Sequence, residues 1–484
     1  MNKKNEKNFI LPDQNEARRR SRKAADVSHD MFSLSDHAAA LGQGKKYYIR
    51  TYGCQANVRD GETMAGMMEL MGYTRTEIPE EGDVLIFNTC AVRQAAEERV
   101  LGEIGSLKPW KQAHKDRIIV LCGCMAQEEA IVRRVIDSYR QVDLIFGTHN
   151  IYRLPDLLYQ VSVSKERVVE VLSEEGRIIE DLPVKRSSAC KGYVNIMYGC
   201  NKFCTYCIVP YTRGKERSRS HEDIVKEVRE LKESGAKEVI LLGQNVNAYG
   251  KDLGIEDGFT KLLEETAKTG IERIRFYTSH PRDYSVSTID AMRKYPNIMP
   301  SLHLPVQSGN DEILRKMNRG YTNDSFRKLV DEMKARIPDI TFTTDLIVGF
   351  PNETDEQFQD TLDLVDYCRF DLAYSFIYSP REGTPAANMP DDIPMEVKKQ
   401  RLQALNTKLA EHANANNKEY LGKKVKVLCE GRSKKNEDVY SGYSEHNKLV
   451  NFTGPEGLEG KIADVEITAY HSFSLDGKAD GDTV

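Results

Sequence analysis

Short apolar runs alternate with longer stretches of helical periodicity between Lys45 and Gln160. Strands bury side chains with a period of two residues and helices with a period of about 3.6, so the two kinds of run predict strands and helices. The predicted strands are Lys46–Tyr52, Asp83–Asn88, Arg117–Cys122 and Asp143–Phe146, and the predicted helices are Asp60–Met71, Arg93–Gln112 and Gln127–Tyr139. Strands separated by helices of this length indicate an open parallel α/β sheet.

A second alternating block follows. Its predicted strands are Gly192–Tyr198, Glu238–Gly243, Arg273–Thr278, Ser301–Val306, Ile340–Val348 and Leu372–Tyr378, with helical patterns near 221–234, 259–269, 285–294, 323–336 and 355–367. These six strand–helix units favour a partial (β/α)6 barrel over the closed barrel of eight. In such barrels the chemistry lies at the carboxyl ends of the strands.

The flanking segments have other patterns. Residues 1–44 are polar and weakly periodic, which predicts a flexible extension. Residues 161–189 predict a polar link with a short strand pair, Val168–Leu172 and Arg177–Glu180. After a helical pattern at Met395–Ala415, short strand-like runs between glycine-rich turns predict a small antiparallel barrel of the oligonucleotide-binding kind.

The runs of this last block are Lys424–Glu430, Val439–Ser444, Leu449–Thr453 and Lys461–Ala469. We therefore expect an α/β chain with an N-terminal domain at 45–164, a barrel domain at 186–416 and a terminal barrel at 418–482. The terminal barrel either binds RNA or caps the central barrel.

Composition and charge narrow the class of protein. No run of about eighteen apolar residues occurs, so we expect no membrane span. The start of the chain is polar, and ten cysteines in 484 residues are far too few for a disulfide scaffold. Free thiols in a reducing cytoplasm are therefore expected. The net charge of −5 leaves nucleic-acid binding to two basic patches, residues 18–23 and Lys423–Lys435, and either could be a solvated face.

Three cysteines share one short segment, Gly199–Cys207, at the end of the first barrel strand. Cys200, Cys204 and Cys207 have the spacing Cys-x3-Cys-x2-Cys. Three thiolates can hold three irons of a four-iron, four-sulfur cluster and leave the fourth open to a small molecule. Zinc sites usually add a second cysteine pair or nearby histidines, and no histidine lies within ten residues. The spacing resembles that of radical S-adenosylmethionine (SAM) enzymes, in which SAM binds the open iron.

Each of three consecutive strands in the first block also ends in a cysteine. Cys54, Cys90 and the pair Cys122 and Cys124 follow strands one, two and three. Carboxyl ends of parallel strands gather at one edge of a sheet, so these thiols can converge on a second cluster, although buried cysteines are common. Cys122 closes an apolar strand, whereas Cys124 lies beyond Gly123 in a turn, so we choose Cys124 as the third ligand.

Residues at other strand ends are candidates for holding SAM, with structural hydrogen bonding as the alternative for each. They are Tyr206, Gly243, Gln244, Ser308 and Asp345, together with the run Ser279–Arg282. The basic run Tyr211–Arg219 suits a phosphate backbone or the negative charge of a cluster or of SAM.

Several of these sequence segments resemble the motifs of the methylthiotransferase family. Thr51–Asn57 (TYGCQAN), Asn88–Arg93 (NTCAVR) and Gly123–Gln127 (GCMAQ) resemble its three auxiliary-cluster motifs, and Tyr198–Arg219 resembles its radical SAM loop. The terminal block looks like its TRAM domain. Ala56 stands where the family often has Met. The resemblance covers residues 45–482. The short motifs are most similar to those of family members that modify isopentenylated adenosine in tRNA.

The resemblance implies a transferase with two [4Fe–4S] clusters. Cys200, Cys204 and Cys207 would hold the cluster that cleaves SAM, and Cys54, Cys90 and Cys124 the one that carries sulfur. SAM would serve as radical source and methyl donor. The product would be a methylthio group on carbon 2 of N6-isopentenyladenosine next to the tRNA anticodon, with a flavodoxin or ferredoxin-type electron donor. An electron-transfer protein or an RNA-binding module with structural metal are the alternatives.

Overall fold

A computed structural model of the chain describes residues 27–91, 94–172 and 177–480. They form two compact units. The first unit comprises the described residues up to Ser187 together with Met197–Phe203 and Cys207–Arg219. The second comprises Ser188–Ile196, Cys204–Tyr206 and the described residues from Ser220 onward.

The strands and helices follow one another along both units. The strands are β1 Ser28–Met31, β2 Lys46–Thr51, β3 Thr74–Arg75, β4 Val84–Thr89, β5 Ile118–Gly123, β6 Leu144–Phe146, β7 Val168–Glu170, β8 Arg177–Glu180, β9 Lys191–Asn195, β10 Met197–Tyr198, β11 Arg217–Ser218, β12 Glu238–Leu242, β13 Arg273–Tyr277, β14 Ser301–His303, β15 Thr341–Val348, β16 Leu372–Ile377, β17 Lys424–Ser433, β18 Asn436–Ser444, β19 Leu449–Thr453, β20 Ile462–Tyr470 and β21 Leu475–Ala479. The α-helices are α1 Gln55–Leu70, α2 Gln94–Ser106, α3 Lys108–Ala113, α4 Glu129–Ser138, α5 Leu154–Ser164, α6 Val209–Thr212, α7 His221–Glu233, α8 Gly258–Lys268, α9 Val286–Lys294, α10 Asp311–Lys316, α11 Asn323–Arg336, α12 Asp355–Cys368 and α13 Met395–Lys418. Short 3-10 helices occupy Pro79–Glu81, Cys124–Gln127, Thr148–Arg153, Val246–Ala248, Pro281–Asp283 and Pro385–Asn388.

The first unit is built on a parallel sheet in the order β3-β2-β4-β5-β6-β7. Its central strands are apolar on both faces because helices cover both. On one face, methionines of α1 and leucines of α5 pack against Ile86 and Val120. On the other, valines of α2 and α4 join the cluster around Phe87 and Leu121. The predicted parallel α/β sheet is thereby confirmed.

Two predictions about local pairing and helix length were wrong. Val168–Glu170 and Arg177–Glu180 do not pair with each other: the first extends the parallel sheet beside β6, and the second pairs with Ser28–Met31. The helix predicted to reach Gln112 ends at Ser106, and a new one begins at Lys108. In a continuous helix the ring of Pro109 would clash with the carbonyl four residues earlier, which explains the break.

The extension predicted as flexible is ordered where it is described. Residues 28–31 form β1 in parallel with β8, and Ala38 is fully buried in the cluster beneath α1 and α5. The segment is held in place because it pairs with β8 and buries a few apolar side chains. These apolar residues are too scattered among polar ones to give a clear pattern in the sequence. Residues 1–26, with the basic patch at 18–23, lie outside the described residues.

The second unit contains the six strands predicted for the partial barrel. They form two parallel sheets of three strands, in the orders β13-β12-β9 and β14-β15-β16. A parallel bridge between Ile274 and Ile298 connects β13 to the chain just before β14. The carboxyl ends of the six strands thus carry the loops in which barrel chemistry is expected.

The terminal block closes into a barrel with the strand order β17-β18-β19-β21-β20. Its predicted antiparallel character holds for four of the five pairs, but β19 and β21 run parallel. The fifth strand, Leu475–Ala479, was missed because its sequence, LDGKA, carries no β-branched or aromatic residue. None of the helices in the described part of the chain has the length and apolar character needed to cross a membrane.

Candidate iron–sulfur centres

Three cysteines of the first unit lie at the carboxyl ends of three adjacent strands. Cys54 follows β2 and is the residue that precedes α1, Cys90 directly follows β4, and Cys124 opens the 3-10 helix after β5. Since β2, β4 and β5 are neighbours in a parallel sheet, these three positions share one edge. The sheet topology therefore brings together the thiols of three separate sequence motifs.

Two glycines allow the loops that carry these cysteines to close on one another. Gly53 has a φ of +136°, and a Cβ there would lie 2.6 Å from the Cβ of Cys90. Gly123 has a φ of +92°, and a Cβ there would lie 2.4 Å from the carbonyl oxygen of Thr89. Any side chain at either position would push the loops apart. Glycine is therefore required on both sides of the Cys90 loop.

The electrostatic surroundings favour a thiolate at Cys54. A hydrogen bond with Cys90 and the positive charge of Arg213 lower the pKa of the Cys54 thiol to about 5. Burial raises the pKa of Cys124, while Arg213 acts in the opposite direction. Thiolates are the form that binds iron, so the arginine charge assists ligation at this edge of the sheet.

Cys122 and Cys124 lie in different surroundings although only one residue separates them. Cys122 is fully buried in β5, where its Sγ lies 3.6 Å from Met64 Sδ, and burial raises its pKa well above the ordinary value. Cys124 belongs instead to a small cluster with Ala91, Ile208 and Tyr211. The first thiol faces the core under α1, and the second faces the loop after Cys90.

Arg213 belongs to the basic run Tyr211–Arg219, for which the sequence left open a phosphate backbone or the negative charge of a cluster or of SAM. Its Nε donates to Cys124 Sγ at 3.2 Å, and its Nη2 donates to Asp60 Oδ2 at 2.6 Å. The expectation that the run Tyr211–Arg219 forms phosphate contacts does not fit its arginines. Arg213, Arg217 and Arg219 are all buried, and Arg219 pairs with Glu180 at 2.7 Å. A contact across 89 residues of chain leaves no local signal in a sequence.

The loop of the other three cysteines is divided between the units. Cys200 and Cys207 belong to the first unit, where the Cys200 amide donates to the carbonyl of Gly214 at 3.0 Å. Cys204 belongs to the second, where it is buried and accepts a hydrogen bond from Arg319 Nη1 at 3.4 Å. Next to it, the amide and the hydroxyl of Thr205 bond to carbonyls of α10 and the residue after it.

The residues predicted to hold SAM have contrasting environments. Gly243 and Gln244 directly follow β12, and Tyr206 packs against an apolar cluster of the second unit. Asp345 Oδ2 lies 3.5 Å from His303 Nε2. Ser308 is fully buried, and its hydroxyl accepts from the Asn310 amide at 3.2 Å, which is the structural role left open for it.

Three buried polar atoms near the same strand ends have no hydrogen-bond partner among the described residues. They are Asn245 Oδ1, Asn247 Nδ2 and Ser279 Oγ. Buried polar groups are normally paired, so three orphans after β12 and β13 indicate a place for a polar ligand. The two asparagines were missed because they lie one and three residues beyond the predicted strand-end pair.

The donor set at this sheet edge has the chemistry of an iron–sulfur site. A four-iron cluster places each thiolate on a different iron. Three cysteine thiols on one sheet edge, with an arginine beside them, fit such a cluster.

The basic patch Lys423–Lys435 is partly neutralised in the terminal barrel. Lys424 pairs with Asp480 at 2.7 Å, and Arg432 pairs with Glu459 at 3.3 Å. Lys434 and Lys435 are exposed in the turn between β17 and β18. Among the described residues no acidic side chain forms an ion pair with either lysine. These two exposed charges are therefore available to a phosphate group.

Three family models match the chain. They are the Radical SAM superfamily over residues 194–365, the Uncharacterized protein family UPF0004 over 46–147 and the TRAM domain over 418–479. The radical SAM methyltransferase TsrM from Kitasatospora setae superposes with a TM-score of 0.51, covering 71% of this chain and 74% of its own at 13% identity. At that identity the likeness concerns the fold alone.

Curated relatives match over almost the whole chain. The tRNA-2-methylthio-N(6)-dimethylallyladenosine synthase of Geobacillus kaustophilus is 53% identical, covering 97% of this chain and 88% of the relative. The enzymes of the same name from Oceanobacillus iheyensis and Bacillus subtilis are 54% and 52% identical, covering 96% and 98% of this chain and 90% and 94% of the relatives. The predicted membership of the methylthiotransferases is thereby confirmed, and the chain belongs to the family of tRNA-2-methylthio-N(6)-dimethylallyladenosine synthases, radical SAM enzymes that work with SAM and [4Fe–4S] clusters.

Proposed function

We propose that this protein adds a methylthio group to carbon 2 of N6-isopentenyladenosine, next to the anticodon of tRNA. The observation that carries the proposal is the convergence of Cys54, Cys90 and Cys124 on one sheet edge in a chain that also holds the loop Cys200–Cys207. An aromatic C–H bond offers acid–base side chains little to act on, so cofactors must carry the chemistry. When bound, the two clusters and SAM supply the electron, the 5′-deoxyadenosyl radical, the sulfur and the methyl group.

The cysteines divide into two ligand sets in this proposal. Cys200, Cys204 and Cys207 would hold the cluster that binds SAM, since three thiolates leave one iron open. Cys54, Cys90 and Cys124 would hold the auxiliary cluster. The separate burial of Cys122 under α1 supports Cys124 as the third auxiliary ligand.

The SAM site would use the strand ends of the second unit. Gly243 and Gln244 would receive the SAM amino group after β12, with Tyr206 beside the adenine and Asp345 contributing from within β15. The orphaned polar atoms of Asn245, Asn247 and Ser279 add donors and acceptors at the same strand ends. Ser308 would support the loop from within rather than touch SAM, because its hydroxyl is already engaged.

Aromatic side chains on strands β13, β14 and β16 suit the isopentenylated base. The ring of His303 lies 6.4 Å from that of Tyr277 and 6.3 Å from that of Tyr374. Tyr374 and Phe376 are exposed on β16. Aromatic faces can stack on adenine and cover the apolar isopentenyl group, which would exclude water from the reacting carbon.

Other parts of the reaction need partners. The terminal barrel would hold the tRNA backbone, with Lys434 and Lys435 as phosphate contacts. The electron would come from a flavodoxin or ferredoxin-type carrier. The cytoplasm is the compartment we propose, because tRNA is there and thiols stay reduced.

Mass spectrometry of tRNA nucleosides from a strain that lacks the gene tests this function. We expect 2-methylthio-N6-isopentenyladenosine to disappear and N6-isopentenyladenosine to accumulate. The wild-type gene should restore the product, and a gene carrying Cys204→Ala should not. An unchanged level of the methylthio nucleoside in the deletion strain would refute the proposal.

A further inference from the structure

Two buried arginines each donate a hydrogen bond to a cysteine of a different ligand set. Arg213 Nε lies 3.2 Å from Cys124 Sγ in the first unit. Arg319 Nη1 lies 3.4 Å from Cys204 Sγ in the second. Both arginines are only 5% exposed, so water does not screen their charges. Each arginine is therefore tied to one cluster position.

The remaining partners of Arg213 balance its charge. Its Nη2 donates to the Asp60 carboxylate at 2.6 Å, and both side chains are 6% exposed. The Arg213 carbonyl in turn accepts from Arg217 at 3.1 Å. The carboxylate fixes the guanidinium so that its Nε points at sulfur, while cancelling much of its positive charge.

Arg319 is held differently. Its Nη2 donates to the carbonyl of Pro305 at 2.6 Å and its Nε to the hydroxyl of Tyr321 at 3.0 Å. Tyr321 donates onward to the carbonyl of Val306 at 2.6 Å. No carboxylate forms an ion pair with Arg319 among the described residues. A buried guanidinium without a carboxylate is costly unless another anion lies nearby, and a thiolate at Cys204 would supply that anion.

Hydrogen bonds to ligand sulfur and nearby charge are two means by which a protein shifts the potential of an iron–sulfur cluster. A positive N–H donor stabilises the more negative, reduced state more than the oxidised state. It therefore raises the reduction potential. A carboxylate behind the donor works in the opposite direction.

We propose that Arg213 and Arg319 are positioning residues that set the reduction potentials of the two clusters, Arg213 through Cys124 and Arg319 through Cys204. The Asp60 carboxylate reduces the effect of Arg213 on the auxiliary cluster, whereas Arg319 acts on the SAM-binding cluster with its full charge. The cluster that must accept the external electron is thus the one with the uncompensated arginine. This inference rests on the ligand sets given under the proposed function.

Single-cluster proteins allow the potentials to be measured one at a time. A Cys204→Ala background retains only the auxiliary cluster, and a Cys54→Ala background retains only the SAM-binding cluster. Redox titration of each, followed by electron paramagnetic resonance, gives one midpoint potential. If either background does not load roughly four irons, the ligand sets fail, independently of the arginines.

Opposite substitutions at the auxiliary site should shift its potential in opposite directions. Arg213→Gln removes the charge and should lower the midpoint, while Asp60→Asn keeps the N–H donor and should raise it. If Arg213→Gln loads no cluster, the Asp60→Asn titration decides alone. An unmoved or lowered midpoint in Asp60→Asn would overturn the proposal for this site.

Arg319→Gln in the other background should lower the midpoint of the SAM-binding cluster. Arg275→Gln is the control, because Arg275 is likewise a buried arginine of the second unit but donates to the Glu238 carboxylate and to backbone carbonyls rather than to a cysteine. It should leave the midpoint in place. Equal shifts in Arg319→Gln and Arg275→Gln, or no shift in Arg319→Gln, would overturn the proposal.

Discussion

Arg275 on β13 donates from Nη2 to the backbone carbonyl of Ser444, at 2.6 Å, and so joins the partial barrel to the terminal barrel. Its Nε also donates to the Glu238 carboxylate at 2.9 Å, and both side chains are buried. The neighbouring Arg273 donates to the carbonyls of Tyr443 and Lys426. The terminal barrel is therefore fastened to the first residues of the barrel strands.

Replacing Arg275 by Ala should destabilise the second unit. The change leaves Glu238 as a buried charge without its partner, which typically costs about 3–5 kcal/mol. Denaturant unfolding of the wild type and the variant measures this. Lys268→Ala, which breaks an exposed pair with Glu265, should change stability little. Similar losses in both variants would contradict the account of this junction.

The junction also determines how RNA binding should be tested. Deleting 418–484 is expected to weaken tRNA binding, but it also removes the carbonyl partners of Arg273 and Arg275. Point changes avoid that disturbance. Lys434→Ala with Lys435→Ala should weaken tRNA binding. The slope of log affinity against log salt should fall by roughly one for each phosphate that is no longer neutralised.

Lys424→Ala is the control for this pair, because the lysine it replaces already pairs with Asp480. Its effect on tRNA affinity should be smaller than that of the double change. If the turn lysines and Lys424 prove equivalent, or if neither affects the salt slope, the assignment of the phosphate contact is wrong.

Gly123 provides a test of how the auxiliary site is built. Gly123→Ala would place a Cβ against the carbonyl of Thr89 at a φ of +92°, so it should displace Cys124 and lower iron content. Gly102→Ala is the matched control. Gly102 lies inside α2 with nothing within 4 Å of its Cβ position, so alanine there should stabilise by about 0.5–1 kcal/mol. Full iron content in Gly123→Ala would contradict the geometry.

The neighbouring cysteines of β5 should respond differently to the same change. Cys122→Ala should cost on the order of 1 kcal/mol in stability and keep the auxiliary cluster, since its thiol only packs in the core. Cys124→Ala should lose that cluster. Iron analysis and tRNA nucleoside analysis of both variants decide between them. If Cys122→Ala lost the cluster and Cys124→Ala kept it, the ligand would be Cys122 and the assignment would be wrong by two residues.

The sequence predicted that Cys54, Cys90 and Cys124 share one sheet edge, because an apolar strand run precedes each of them and strand ends in a parallel sheet share an edge. It allowed a cluster as the partner of the basic run Tyr211–Arg219, but it could not assign Arg213 to Cys124, because that contact depends on how distant loops fold back. For the same reason the partners of Val168–Glu170 and Arg177–Glu180 were wrong: strand character is local, whereas pairing is tertiary. The motif at residues 88–93 contributed to the family resemblance through its sequence alone, since Val92 and Arg93 lie outside the described residues.

The central claim is that the two cysteine sets hold different clusters, one that cleaves SAM and one that is needed only for methylthiolation. The most direct measurement incubates the reconstituted wild type, Cys54→Ala and Cys204→Ala with SAM, a reductant and isopentenylated tRNA. It records 5′-deoxyadenosine and the methylthio nucleoside by mass spectrometry. We predict both products for the wild type, 5′-deoxyadenosine alone for Cys54→Ala, and neither for Cys204→Ala. Methylthiolation by either variant, or 5′-deoxyadenosine at the wild-type rate from Cys204→Ala, would contradict the account.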